Sequence, residues 1–216
     1  HIKKMLTLDL NIPDPDFANM VNSAPLGQAV TVFRQKYKCV HGCLGCFNNA
    51  ELHNSILTIP EITRKVEEGI QLGLESVKFL GPGELLMNSE LFRVLDFLTE
   101  RNIVIGIFTK AAFLGSDDLA MRYQKMSSEE LVHRLTAYQN TTFLVGARSF
   151  YPTRENKYIP QNRREYAKRF DYHAARNLAI ERLCSSGMNA DLRRQRLAII
   201  DSPVTADNDE YLYTSS

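Results

Sequence analysis

The sequence predicts an α/β protein built on a parallel sheet. Three observations lead there: five short, largely apolar runs, stretches of helical period between them, and turn residues at the junctions. Five strand–helix units on one chain suit either a doubly wound sheet or part of a (β/α) barrel. Both architectures gather ligands at the carboxyl ends of the strands, so the residues that close each strand are the first candidates for function.

The stretch before residue 29 reads as irregular, because Pro13, Pro15 and Pro25 interrupt any long pattern. Ala29–Phe33, short and rich in β-branched residues, is the first expected strand, and a cysteine loop follows it. Ile59 to Leu72 has helical spacing, with Pro60 suited to the first turn and Gly73 to the stop. Ser76–Leu80 is the second strand and ends at Gly81-Pro82-Gly83-Glu84. Ser89 is placed to cap the next helix, where Leu91, Val94, Leu95 and Leu98 recur at three- and four-residue steps.

Ile103–Phe108 is the third strand and closes on Thr109-Lys110. Ser127 or Ser128 opens a helix to Ala137, with Glu129 and Glu130 matched to its positive end. Thr142–Ala147 is the fourth strand and closes on Arg148-Ser149. A polar excursion, Tyr151–Asn162, precedes a helix that starts at Arg163 or Tyr172, reaches Cys184 and stops before Gly187. Arg196–Ile200 is the fifth strand. The expected division is an irregular segment over 1–28 and an α/β core over 29–216. A chain that opens on His1 and stops soon after a fifth strand reads as part of a larger domain.

Composition narrows the function classes. With 216 residues, 44% of them hydrophobic, the chain can bury a sizeable core. Lys+Arg 26 against Asp+Glu 25 leaves no basic excess for a nucleic-acid platform, and the cluster Arg163–Arg169 reads as a solvated helix face. No run of about 18 apolar residues and no secretory leader pattern is present, so the expected setting is the cytoplasm, away from membrane.

Cys39, Cys43 and Cys46 lie within eight residues, with Gly42 and Gly45 among them. Thiolates are soft ligands that select zinc, copper(I) or an iron–sulfur cluster. Structural zinc takes four ligands, usually from two knuckles; here only Cys184 remains, inside a helical pattern that reads as a buried, inert thiol. His41 stands between two of the cysteines and is not expected on the same metal. Three thiolates on a four-iron cluster leave one iron open to chelate an amine and a carboxylate.

The spacing Cys-x3-Cys-x2-Cys at the head of a βα series resembles the radical S-adenosylmethionine superfamily. The resemblance implies a partial (β/α) barrel of that type, truncated after the fifth strand, with a 4Fe-4S cluster on Cys39, Cys43 and Cys46. It implies S-adenosylmethionine on the open iron and a reducing partner of flavodoxin or ferredoxin type. One-electron cleavage would give a 5′-deoxyadenosyl radical that abstracts hydrogen from a peptide, a sugar or a small metabolite.

Gly81-Pro82-Gly83-Glu84 resembles the family's Gly-Gly-Glu segment, with Pro82 replacing its second glycine; this implies that Gly81, Gly83 and Glu84 meet the ligand's ammonium group. By the same resemblance Thr109 approaches the methionyl portion or a substrate, and Ser149 the ribose or carboxylate. Arg196 faces the ligand in one reading and forms a salt bridge at the sheet edge in the other. The family's aromatic residue before the third cysteine is replaced by Gly45, with Phe47 following, so these two residues stand where adenine would be met. The competing reading is a non-catalytic, cysteine-rich metal-binding module that presents its loops to a protein partner. An electron-transfer protein would want four clustered cysteines.

Overall fold

A computed structural model of the chain describes residues 6–10, 40–41, 59–79, 84–147, 150, 170–191 and 193–201. The elements in order are β1 (Leu6–Leu10), α1 (Ile59–Gln71), β2 (Leu74–Phe79), α2 (Leu91–Glu100) and β3 (Val104–Thr109), then α3 (Asp117–Gln124), α4 (Ser128–Ala137), β4 (Thr141–Ala147), α5 (Tyr172–Ser185) and β5 (Leu197–Asp201). Short 3-10 turns occupy Leu85–Met87 and Ala112–Leu114.

The strands form one sheet in the order β1-β2-β3-β4-β5, and every neighbouring pair is parallel. The order follows the chain without the reversal that defines a doubly wound sheet. With right-handed crossovers, steps that always advance the same way put the connecting helices on one face.

Side-chain burial divides the sheet accordingly. Val77, Phe79, Ile105, Ile107, Phe143 and Val145 are at most 2% exposed and form the core with Ile62, Val66, Leu95, Leu98, Leu131, Leu135 and Leu183 from the helices. Each such side chain contributes about 1.5–3 kcal/mol by leaving water. The register aligns the opposite face in rows: Lys78, Gly106 and Thr142, then Phe108, Leu144 and Ala198, then Gly146 and Ile200. Apart from Gly146, these residues are half-buried or exposed.

Local chemistry explains the helix ends. Ser127 accepts from Glu130 N–H while the Glu130 carboxylate accepts from Ser127 N–H, a reciprocal cap. Gly73 and Gly187, with φ of 90° and 79°, close α1 and α5 in backbone that side chains resist. Ser116 caps α3 and Asp171 caps α5. Ser128 receives Arg182 Nη1 at 2.5 Å and donates to Asp117 Oδ1 at 2.6 Å, which ties α3, α4 and α5 together.

Four expectations need correction. The first strand of the sheet is Leu6–Leu10, inside the stretch read as irregular; its Leu-Thr-Leu-Asp-Leu alternation has the strand period, ahead of the prolines. Ala29–Phe33 lies outside the described residues. Ser89 does not cap α2: Glu90 occupies that position without a side-chain cap bond, and Asn88 Oδ1 accepts from Glu90 N–H instead. Cys184 is exposed rather than buried, because it falls on the outer side of α5 while its neighbour Leu183 fills the core. The helix α3 is an addition, in a stretch for which the sequence predicts no element.

Candidate functional site

The carboxyl ends of β2 and β3 converge on one buried acidic side chain. After β2 the chain reaches Glu84 in extended conformation, at the head of the first 3-10 turn. Its side chain is only 2% exposed. A buried carboxylate is costly unless donors surround it, and here backbone N–H groups from two segments serve it, with the His41 ring beside them. Oε1 accepts weakly from Leu86 N–H at 3.5 Å. Oε2 accepts from the backbone N–H of Lys110 at 3.0 Å and lies 3.3 Å from Nε2 of His41.

His41 belongs to the cysteine loop. It and Val40 are at most 1% exposed. The imidazole stands edge-on to Phe113 (centroids 6.1 Å apart) and to Tyr172 (5.6 Å), between the turn after β3 and the first residue of α5. Burying an aromatic ring against two others gives it an apolar seat, and its Nε2 faces the Glu84 carboxylate at 3.3 Å without a hydrogen bond between them. Val40 and His41 are thereby buried at the strand ends.

Lys110 is held from both sides. Its N–H donates to Glu84, and its carbonyl accepts from the Tyr172 hydroxyl at 3.0 Å. Beyond it Ala111 adopts φ 60° and ψ −1°, a left-handed turn that the Thr109 hydroxyl supports by accepting from Ala111 N–H at 2.9 Å. The Lys110 side chain runs along the open face and donates from Nζ to Gly146 O at 3.2 Å. A Cβ built on Gly146 would stand 3.1 Å from that Nζ and 3.2 Å from Phe108 Cζ, so both side chains pack closely over the glycine.

The residues expected to bind cofactor therefore fall into three groups. Glu84 and Thr109 lie together at the strand ends, both buried, with Thr109 turned to the core face and engaged by its own turn. Cys39, Cys43, Cys46, Gly45, Phe47, Gly81, Gly83 and Ser149 lie outside the described residues. Arg196 is a correction. It precedes β5 at the amino end of the sheet, away from Glu84, and its guanidinium donates to the carbonyls of Thr141, Thr136 and Tyr138 and to Gln139 Oε1 at 2.5–3.2 Å. It knits the α4–β4 connection by these hydrogen bonds and forms no salt bridge among the described residues. Burial lowers its proton affinity, with a smaller effect from neighbouring Arg194.

His41 and Tyr172 carry the site and escaped the sequence reading. The signal for His41 was its place between two cysteines; for Tyr172 it was the helix start just after Asp171.

No protein-family model matches the chain, and no curated protein matches it. Among the described residues no cluster of three metal-ligating side chains occurs, and no helix is long and apolar enough to cross a membrane.

Proposed function

We propose that the chain is a radical S-adenosylmethionine enzyme, a partial (β/α) barrel that holds a 4Fe-4S cluster on Cys39, Cys43 and Cys46. One observation carries the reading: His41 is buried at the carboxyl ends of β2 and β3, against Glu84. Cys39 precedes it by two residues and Cys43 follows it by two, so chain length alone keeps each Cα within about 7 Å of the His41 Cα. Clustered thiolates tethered to the ligand-binding end of a parallel sheet are what such an enzyme requires. The sequential strand order adds support, since a barrel segment has it and a doubly wound sheet does not.

The surroundings fit the group. Gly106 and Gly146 add no side chain to the open face, and the strand ends offer a backbone-held Lys110 and the buried Glu84. Bound there, the cluster and S-adenosylmethionine supply one-electron cleavage of a sulfonium. The protein's own contribution is positional. His41 and Glu84 fix the loop, Tyr172 and Glu84 fix Lys110, and the Phe108 and Leu144 side chains exclude water from the face on which a substrate C–H bond would lie. The electron donor, a small reducing protein, and the substrate, a peptide, sugar or metabolite, belong to the same reading.

The test is cluster assembly. Anaerobic reconstitution should give close to four irons and four sulfides per chain, and a reduced-state EPR signal that changes on adding S-adenosylmethionine. Retention of zinc in place of iron would replace this reading with a metal-binding module.

A further inference from the structure

Lys110 carries a charge that no described residue balances with an ion pair. Its side chain is half-buried, its ammonium donates to one neutral carbonyl, Gly146 O, and it forms no ion pair among the described residues. Glu84, the nearest acidic residue along this edge, spends its carboxylate on the Lys110 backbone and on His41. Lys78, on the same face, aligns in register with Asp9 of β1. No acidic residue occupies the face in the described parts of β2, β3, β4 or β5.

A partly desolvated ammonium with donors to spare favours an anion, because charge-assisted hydrogen bonds are the strong ones. The ammonium lies over Gly146 beside the Phe108 ring, which gives it an apolar neighbour on the same half-buried face. We propose that Lys110 is an anion-binding residue, which receives the carboxylate or phosphate of a small molecule lying over Phe108 on the open face. The inference deepens the reading above, since the site is the same, but its chemistry needs no cluster.

Competitive lysine acylation read by mass spectrometry tests it on the full chain, purified anaerobically. The probes are succinate, inorganic phosphate, S-adenosylmethionine and 5′-methylthioadenosine, which lacks the carboxylate. An anionic probe should suppress labelling of Lys110 and leave exposed Lys65 and Lys125 unchanged. Lys110→Met should weaken that probe about tenfold or more in calorimetry, with Lys110→Arg restoring much of the loss. Protection by succinate or phosphate assigns the anion to a substrate. Protection by S-adenosylmethionine but not by 5′-methylthioadenosine assigns it to the sulfonium's own carboxylate. If S-adenosylmethionine fails to bind while succinate or phosphate still protects, the radical reading falls and this inference stands. Unchanged Lys110 labelling with every probe, or equal affinities in Lys110→Met and the parent chain, overturns it.

Discussion

Nε2 of His41 lies 3.3 Å from Oε2 of Glu84, and the same oxygen accepts from the backbone of Lys110 at 3.0 Å. One carboxylate thus joins the cysteine loop, the turn after β2 and the end of β3. Because both side chains are nearly free of solvent, neither can leave the pair without stranding the other.

Glu84→Ala should therefore lower unfolding stability by about 2–4 kcal/mol in urea, since it orphans buried N–H groups as well as removing a contact. His41→Ala should reduce iron bound after reconstitution although all three cysteines remain. Iron content equal to the parent's would separate the loop from this anchor.

Gly115 packs against α5 so closely that an added Cβ would stand 1.8 Å from Ala175 O and 2.7 Å from its carbonyl carbon. Both are backbone atoms, so no rotamer relieves the clash. Gly115→Ala should cost at least about 1–3 kcal/mol and shift the thermal midpoint down by several degrees. A neutral effect would mean that α5 sits farther from the turn after β3.

Arg196→Leu should destabilise by about 2–4 kcal/mol, because three backbone carbonyls lose their donor at the amino end of the sheet. Ligand binding in the surviving folded fraction should be unchanged. Arg196→Lys should rescue only part, as an ammonium cannot span the same fork.

Asp117 accepts from the side chain and backbone of Ser128, and these bonds hold its carboxyl below the usual carboxylate value, Arg182 assisting. A depressed folded-state pKa adds stability above the unfolded value of 3.8 and loses it as pH falls through the lower, folded one. The melting-temperature gap between the parent and Asp117→Asn should be full at neutral pH and close in acid below pH 3.8; an unchanged gap would show that charge is not involved.

Strong periodicity made most of the fold legible. Leu91, Val94, Leu95 and Leu98 announce α2, and four of the sheet's strands fall within about two residues of the apolar runs that predict them. The misses have physical causes. Leu6–Leu10 is short and followed by prolines, and Ala29–Phe33, which lies outside the described residues, has the stronger β composition, so the eye passes over the earlier run. Arg196 was placed by its neighbourhood to a strand, but the start of a strand faces the opposite end from its finish. His41 is legible only in three dimensions, since its partners Glu84, Phe113 and Tyr172 are 43, 72 and 131 residues away in sequence.

The central claim is reductive cleavage of S-adenosylmethionine at a cluster on Cys39, Cys43 and Cys46. The most direct measurement is 5′-deoxyadenosine formed by the anaerobically reconstituted chain with dithionite, beside Cys43→Ala under the same conditions. The account predicts 5′-deoxyadenosine and methionine from the parent chain and neither from the variant, which should also fail to assemble the cluster. An intact cluster that yields no 5′-deoxyadenosine, or a Cys43→Ala chain with undiminished iron and product, would contradict it.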